Sequence, residues 1–572
     1  MLRLLWALPL WLLLLPLALV RWLISRFQRS PRVLEVVLEG DITLLPQPKG
    51  PFRRGGSGGR GALRSALRTA LKDQRVQTIF VRIGSLEGGL GHLSALRALL
   101  GSLKVPRGNG AVKVVAYVHQ PTTRALWVAS SADEIIIPKH TPVMAMGTSL
   151  EINYYGEGLE KAGIDVDVVA AGAFKSAMEP FTRTEPSEAS REALEALLGD
   201  LHDGLVADLG ARPGRTPEQI EAALASGPHL ADQAVALGLA DAALDLEEVD
   251  ARLDCHDDGK ASKIHLDDHP GVIRPWPRKP RLLPQKAPLA VIPVVGDIRD
   301  GKLEGPERSK GAIGREVVEL ADAARKNKSI KGVLLYIDSR GGSATASEEM
   351  WRAVRRLAKK KPVVAWMGDY AASGGYYLAS AAHHIVACPT TLTGSIGVIA
   401  AKPHVERLLA RLGVHTTRLE RGPQSTMFSL SRGFTEAERA AMEATITAFY
   451  DLFLARVGEG RDRTPESVHP VAQGRVWTGQ QALAHALVDA LGDEEAAIRT
   501  LSAMTGVSGR PPLRVLRPHR PLMERLLSGI GAQAAASAAT PAALTTLMEA
   551  AEGALPPEGD ALAWCPITVR TP

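Results

Sequence analysis

The chain has 572 residues, 45% hydrophobic and 23% charged, which predicts a folded protein of several domains rather than a disordered or fibrous one. Its 68 basic and 62 acidic residues leave a formal charge of +6, and no basic face with interleaved aromatic residues accompanies them, which argues against nucleic-acid binding. The cysteines Cys255, Cys388 and Cys565 have neither the CxxC spacing of a zinc site nor the pattern of a disulfide framework. Function must therefore be read from motifs.

The N-terminus predicts a membrane anchor. Residues 4–20 are an uncharged apolar stretch, LLWALPLWLLLLPLALV, close to the roughly 20 residues that cross a bilayer. No small-residue cleavage site of a signal peptide follows. We therefore interpret residues 1–32 as a single transmembrane anchor, although the arginine-rich flank after the span favours a cytoplasmic body.

An internal repeat organises the rest of the chain. VLEVVLEGDI at residues 33–42 matches AVIPVVGDI at 290–298, and WVASSADEIII at 127–137 matches YLASAAHHIVA at 377–387. Further matched segments keep the same order, which indicates that one unit has been duplicated.

Each copy alternates strands and helices, with the strands as continuous apolar runs. This pattern predicts α/β domains whose largely parallel sheets are covered by helices on both faces. We expect a first domain at residues 33–253, a polar, proline-rich linker at 254–289 and a second domain at 290–506. Residues 507–572 have no role that the sequence reveals.

Lys175 is the first candidate catalytic residue along the chain. It follows an apolar strand in DVDVVAAGAFKSAMEPF and is flanked by apolar side chains. Apolar surroundings disfavour the ammonium form, so such a lysine can act as a neutral base toward a serine. The second copy has Gln424 or Ser425 at the matching place, and the alternative reading of Lys175 is a solvated surface charge.

A glycine pair, Gly341 and Gly342, ends a strand of the second copy in DSRGG. Loops that follow neighbouring parallel strands gather at one edge of a sheet. Backbone amides of such a turn can bind an oxyanion, and an ordinary left-handed turn is the alternative.

Ser373 is the second candidate catalytic residue, in GDYAASGGYYLAS at residues 368–380. A serine on a sharp turn between a strand and a helix exposes its hydroxyl, and small neighbours admit a substrate backbone. The alternative is a helix N-cap. The first copy has HQPTTRALWVAS, with Thr123 or Arg124 at this place.

The two copies have complementary losses, because the first has the lysine without the serine and the second has the serine without the lysine. One site shared between the copies would leave this pattern. His383 and His384 lie about three helical turns beyond Ser373 and are interpreted as ordinary helix-end residues. No metal-ligand spacing such as HExxH occurs, so no metal or cofactor is expected.

The sequence resembles the long, duplicated type of signal peptide peptidase A, through GDYAASGGYYLAS, TGSIGVI, GAFKSAMEPF and GRVWTGQQA. The resemblance implies two tandem domains related to crotonase and Clp protease. It implies Ser373 as nucleophile, Lys175 as general base, and Gly341, Gly342 and Gly374 as the oxyanion loop. It further implies that Ser395 in TGSIG orients the lysine.

The resemblance also implies a serine endopeptidase that degrades cleaved signal peptides at the bacterial inner membrane, with a periplasmic body. A homo-oligomer, by family analogy a tetramer, is expected. Two other classes stay open: a crotonase-type acyl-CoA enzyme, and a catalytically inactive membrane scaffold.

Overall fold

The computed structural model describes most of the chain. The described residues are 32–45, 59–104, 111–253, 263–269, 272, 287–301, 311–509, 511–518 and 562–564. The predicted membrane anchor lies outside them. Within these ranges, no helix combines the length and the apolar character that crossing a bilayer requires.

The first half of the chain alternates strands and helices as the sequence predicts. Its elements are β1 (Val33–Asp41), α1 (Arg60–Ala70), β2 (Thr78–Glu87), α2 (Leu90–Gly101), β3 (Lys113–Val118), α3 (Thr123–Ala129), β4 (Glu134–Ile137), α4 (Gly156–Ala162), β5 (Asp165–Ala171), α5 (Glu179–Thr182), α6 (Glu188–Gly210), α7 (Pro217–Ala225), α8 (Ala231–Ala236), β6 (Ala242–Ala243), α9 (Leu246–Arg252), β7 (Lys263–His265) and a 3-10 turn (Leu266–Asp268).

The second half repeats the alternation and adds short strands. Its elements are β8 (Leu289–Val295), β9 (Asp297–Arg299), β10 (Gly311–Ile313), α10 (Gly314–Lys326), β11 (Gly332–Ser339), β12 (Gly341–Ser343), α11 (Ala344–Ala358), β13 (Val363–Ala372), α12 (Gly374–Ala379), β14 (His384–Ala387), β15 (Leu392–Gly394), β16 (Val398–His404), α13 (Glu406–Arg411), α14 (Glu436–Arg461), α15 (Pro465–Val468), a 3-10 turn (His469–Val471), β17 (Val476–Thr478), α16 (Gly479–Ala484), β18 (Ala490–Leu491), α17 (Glu494–Thr505), β19 (Leu513–Val515) and β20 (Leu562–Trp564).

The described residues divide into two compact units that do not follow the sequence copies. The first unit contains the residues up to Ser149 and those from His202 to 272, and the second contains Leu150–Leu201 and those from Ala287 onward. Residues 150–201 thus belong to the first copy by sequence and to the second unit by packing. Lys175 and Ser373 consequently lie in the same unit.

The first unit is built on one six-stranded sheet in the order β6-β4-β3-β2-β1-β7. All of its pairings are parallel. The edge strand β7 and the turn after it lie inside the stretch predicted to be a linker, and there the side chain of Leu266 is buried. An apolar side chain within a polar stretch allows this short segment to pack on the sheet.

The second unit has two sheets. The larger has eight strands, with the path β17-β15-β13-β11-β8-β19, while β14 pairs with β13 and β18 pairs with β14. The described part of this sheet is parallel except where β15 pairs with β17. Residues 333–337 of β11 are buried, as expected for a strand covered on both faces. The predicted, largely parallel α/β architecture is confirmed.

The smaller sheet of the second unit has six strands in the order β10-β9-β12-β20-β16-β5. Here β5 pairs antiparallel with β16, and Ala171 lies opposite Val398. This register places the chain that continues from β5 toward Lys175 next to the chain that leads from Ser395 into β16. The sheet therefore positions two residues that the sequence singled out.

The start of α14 supports β5. Arg439 donates a hydrogen bond of 2.5 Å to Asp167 Oδ1 and another of 3.2 Å to the carbonyl of Val168, both on β5. From the loop before the helix, Arg432 donates two hydrogen bonds of 2.6 Å to the buried carboxylate of Glu438. The Glu438 carboxylate also accepts from the Thr435 amide, which completes a capping box.

This ion pair predicts a pH-dependent contribution to stability. The Arg432 guanidinium lowers the pKa of Glu438 from 4.5 to about 2. Because the folded-state pKa is depressed, the stabilisation is present above about pH 4.5 and is lost as the pH falls toward 2. We expect Glu438→Gln to lower the free energy of unfolding by about 2 kcal/mol at pH 7.

Chemical denaturation between pH 7 and pH 2.5 measures this effect. The difference between wild type and Glu438→Gln should shrink as the pH falls. Glu436→Gln, an exposed residue in the same helical turn, is the control and should change stability much less. A Glu438→Gln deficit that is independent of pH would contradict the ionic explanation.

Candidate functional site

Ser373 lies on a sharp turn between β13 and α12. Its backbone has φ 53° and ψ −116°, an uncommon conformation for a residue with a side chain, and it is 0% exposed. The Ser373 amide donates to the carbonyl of Gly394 at 2.8 Å, and its own carbonyl accepts from the Tyr377 amide at 2.8 Å. These bonds hold the strained turn between strand and helix.

The two glycines after Ser373 are required by close packing. A Cβ at Gly374 would lie 2.6 Å from Ser347 Oγ and 3.3 Å from the Cα of Gly341. A Cβ at Gly375 would lie 2.7 Å from the carbonyl oxygen of Ser339. Glycine at both positions thus lets the start of α12 lie directly against the turn at β12.

In the first unit, the residue at the corresponding N-cap position is Thr122, which precedes α3. It has an extended backbone, with φ −90°, and its side chain accepts a hydrogen bond from the Ala125 amide as a helix cap. The sequence comparison placed Thr123 or Arg124 here, because it could not fix the position of a one-residue gap. This copy keeps a helix cap without the strained turn of Ser373.

Lys175 follows β5 in a turn that packs against a second glycine turn. The amide of Phe174 donates to the carbonyl of Gln473 at 2.8 Å. A Cβ at Gly474 would lie 2.6 Å from the Lys175 nitrogen, and one at Gly172 would lie 2.4 Å from the Gln473 carbonyl carbon. The close approach of these turns fixes the backbone from which the lysine side chain extends.

The lysine and the serine are in direct contact. Lys175 Nζ donates to Ser373 Oγ at 2.9 Å, across 198 residues of sequence. It also donates to the Oγ of Ser395 at 3.0 Å and to the Ser395 carbonyl oxygen at 3.1 Å. Lys175 and Ser395 are 6% and 2% exposed. An amine so placed, when neutral, can accept the proton of the Ser373 hydroxyl.

Ser395 offers the lysine amine two acceptors, its hydroxyl and its carbonyl. Its backbone has φ 50°, and its amide donates to the Arg475 carbonyl at 2.7 Å. Ala177 and Met178, shortly after Lys175, form a small buried apolar cluster with Ile399 of β16.

The Ser395 hydroxyl should contribute moderately to activity, because its carbonyl still accepts from the lysine when the hydroxyl is removed. We expect Ser395→Ala to lower kcat about tenfold with little change in KM. Ser395→Gly is the matched variant, since it also lacks the hydroxyl but relieves strain at φ 50°. Steady-state kinetics should give the same loss for both, and full activity of the glycine variant would refute a role for the hydroxyl.

Gly341 and Gly342 form the turn beside α12. Their φ angles are 109° and 146°, and a Cβ at Gly342 would lie 2.0 Å from the carbonyl oxygen of Ile298. The Gly341 amide donates to Ser339 Oγ at 3.2 Å. The glycine turn and Gly374 thus lie against each other next to Ser373.

The two histidines near α12 have other partners. His383 Nδ1 accepts a hydrogen bond of 3.1 Å from the Val363 amide at the start of β13, and burial lowers the pKa of His383. His384 Nδ1 lies 3.9 Å from Asp489 Oδ2. Both contacts are at the end of β13 opposite to Ser373, so neither histidine lies beside the serine. The basic side chain that contacts Ser373 is Lys175.

Two structural contributions to the site were not predicted from the sequence. The turn at Gln473 and Gly474 supports the backbone of Lys175, and Ser339 Oγ holds the amide of Gly341. The first overlaps a segment quoted for its family resemblance, GRVWTGQQA, which begins at Gly474, so its position offered a signal. The second is an ordinary serine at a strand end, and nothing in the sequence distinguishes it.

The protein has a layered α/β fold, and its buried serine lies on a strained strand-to-helix turn in contact with a lysine amine. This arrangement is typical of a serine hydrolase. The family model for Peptidase family S49 matches residues 109–258 and 355–508, one segment in each copy. The chain belongs to this peptidase family, and the resemblance found in the sequence is confirmed.

Curated relatives agree with this assignment. Over 447 residues the chain is 31% identical to Protease 4 of Salmonella typhi, covering 76% of this chain and 70% of that protein. It is 29% identical over 512 residues to the chloroplastic serine protease SPPA of Arabidopsis thaliana, covering 88% of this chain and 74% of that protein. Protease 4 of Haemophilus influenzae is 30% identical over 449 residues. The chain is thus a serine protease of the signal peptide peptidase type.

Proposed function

We propose that this chain is an endopeptidase with a Ser373–Lys175 dyad that degrades signal peptides left in the membrane after their cleavage from secretory precursors. The observation that carries the proposal is the hydrogen bond of 2.9 Å between Lys175 Nζ and Ser373 Oγ. A crotonase-type acyl-CoA enzyme has no need for a hydroxyl in contact with an amine, and an inactive scaffold has no need for either residue.

The first half of the reaction forms an acyl-enzyme. Neutral Lys175 accepts the proton of the Ser373 hydroxyl as Oγ attacks the carbonyl carbon of the scissile peptide bond. The negative charge that develops on the carbonyl oxygen is stabilised by the backbone amide of Gly342 and by amides at the start of α12, while the Gly341 amide donates to Ser339 Oγ. The lysine then gives its proton to the leaving amine.

The second half of the reaction releases the product. Lys175, neutral again, takes a proton from a water molecule that attacks the acyl carbon, and the proton returns to Ser373 Oγ as the ester bond breaks. Ser395 holds the amine in place during both halves. Every proton transfer in this scheme is between the lysine, the serine, the substrate and water.

The proposal includes anchoring to the bacterial inner membrane through residues 4–20, and a periplasmic body as the family resemblance implies. An anchor would bring the site close to apolar peptides that remain in the bilayer. We further propose a homo-oligomer, a tetramer by family analogy.

Hydrolysis of a fluorogenic, signal-peptide-like peptide by the purified full-length protein in detergent tests the function. We expect turnover that persists in EDTA, with no turnover of an acyl-CoA thioester. Turnover of the thioester alone would favour the crotonase-type alternative, and turnover of neither would favour the scaffold.

A further inference from the structure

The guanidinium of Arg475 lies against two aromatic rings. Its Cζ is 4.9 Å from the centre of the Phe174 ring and 4.6 Å from the centre of the Trp477 ring, both within cation–π range. One of its nitrogens donates a hydrogen bond of 2.6 Å to Glu192 on α6. The side chain of Glu192 is 61% exposed and that of Arg475 only 17%, so the ion pair adds little and the two rings are the main partners of the guanidinium.

Both rings belong to segments that carry or support the dyad. Phe174 directly precedes Lys175 in the turn after β5. Trp477 lies on β17 and packs on Gly394, where a Cβ would lie 2.8 Å from Trp477 Cδ1. The carbonyl of Gly394 accepts from the Ser373 amide at 2.8 Å. The guanidinium thus joins the turn of the base to a support of the nucleophile.

The backbone of Arg475 contacts the same site. Its carbonyl accepts from the Ser395 amide at 2.7 Å, and Ser395 in turn gives the lysine amine two acceptors. The carbonyl of the nearby Gln473 accepts from the Phe174 amide at 2.8 Å. The proposed mechanism uses no atom of Arg475, although its backbone and side chain contact the supports of Ser373, of Ser395 and of the lysine.

The position of the base matters because lysine is flexible. Its amine is carried on a four-carbon stem, and proton transfer needs the amine within hydrogen-bond distance of the serine hydroxyl. A displacement of about 1 Å at a catalytic group can cost about a hundredfold in rate. A planar guanidinium stacks on aromatic rings, whereas a lysine ammonium in its place keeps the charge without the planar surface.

We propose that Arg475 is a positioning residue: by contacting Phe174 and Trp477 together, its guanidinium fixes the turn from which Lys175 reaches Ser373. This inference rests on the proposed peptidase function. The guanidinium acts through the backbone of this turn and does not touch the reacting atoms. Its loss should therefore slow the chemical step and leave substrate binding unchanged.

Arg475→Lys in the full-length protein tests this role. We expect kcat for a peptide to fall about thirtyfold and KM to stay within about twofold, because the two rings lose their planar partner. Arg456→Lys is the matched control, since Arg456 Cζ lies 4.3 Å from the centre of the Trp351 ring and its guanidinium donates to Glu348 at 2.6 Å, both on α11. It should lower thermal stability and keep kcat. Wild-type kcat in Arg475→Lys, equal losses of kcat in the two variants, or a loss confined to KM would overturn the inference.

Phe174→Leu tests the same contact through its aromatic partner. Leucine keeps an apolar side chain but removes the ring, so kcat should fall about tenfold with KM unchanged. The double variant with Arg475→Lys should be no slower than Arg475→Lys alone, because both changes break one contact. Wild-type kcat in Phe174→Leu, or losses that multiply in the double variant, would overturn the inference. The kcat of Phe174→Leu decides the question if Arg475→Lys does not fold.

Failure of this inference is distinguishable from failure of the proposed function. If wild type and Arg475→Lys hydrolyse peptides with the same kcat, Arg475 does not position the base although the chain is a peptidase. If wild type hydrolyses no peptide, the proposed function itself is refuted.

Discussion

Ser373→Ala is expected to abolish peptide hydrolysis, with a loss in kcat/KM of about a thousandfold or more. The hydroxyl is the nucleophile that forms the acyl-enzyme in the proposed mechanism, and substrate binding with oxyanion stabilisation would supply the remaining activity. The fold should persist, because alanine fits the same turn and Lys175 keeps both acceptors on Ser395. Steady-state hydrolysis and thermal denaturation measure the two effects.

Ser380→Ala is the matched control for this variant. Ser380 is another buried serine, at the opposite end of α12, and its hydroxyl accepts from the indole of Trp351 at 3.1 Å. Its removal should cost about 1 kcal/mol of stability and leave catalysis intact. Equal losses of activity in both variants would indicate that disturbance of α12, rather than the missing nucleophile, is responsible.

Lys175→Met should be as damaging as Ser373→Ala, because methionine preserves length and apolar contacts but cannot accept the proton of the serine. We expect a loss of about a thousandfold in kcat/KM. The double variant should be no worse than either single variant, since the two residues act as one unit. A double variant whose loss equals the product of the single losses would contradict a dyad.

Lys402→Met is the control for this change. Lys402 lies on β16, is 4% exposed, and its ammonium lies 4.6 Å from the centre of the Phe434 ring. Burial lowers the pKa of Lys402, so it is a second buried lysine of the same unit that does not contact the serine. This variant should keep its activity. That result would show that the loss in Lys175→Met comes from the missing contact with Ser373 and not from the removal of a buried lysine.

The fold and the two central residues could be predicted because duplication supplied an internal comparison. Ser373 and Lys175 each stand in one copy and are absent from the other, and the strand-helix alternation is strong in both. Such signals are local and can be recognised in a single sequence. They do not predict which segments pack together in the folded protein.

The packing of residues 150–201 with the second unit could not be predicted for that reason. The repeat identifies copies by order along the chain, whereas compact units are decided by which apolar surfaces meet in three dimensions. The pairing of β5 with β16, which brings Lys175 beside Ser395, depends on that packing, and neither segment indicates its partner strand.

Strand β20 was equally inaccessible from the sequence. Leu562, Ala563 and Trp564 follow an alanine- and proline-rich stretch without strand alternation. A segment of three residues gains its structure from the edges that it joins rather than from its own propensity. Its position next to the glycine turn became visible only when the sheet order was known.

The rate at which a fluorophosphonate modifies Ser373 tests the dyad most directly, because it reports the reactivity of one hydroxyl without a peptide substrate. Mass spectrometry of the labelled full-length protein should place the phosphonyl group on Ser373, and Lys175→Met should slow its addition about a hundredfold or more while Lys402→Met does not. Label on another serine, or equal rates in wild type and Lys175→Met, would contradict the assignment of Ser373 as nucleophile and Lys175 as its base.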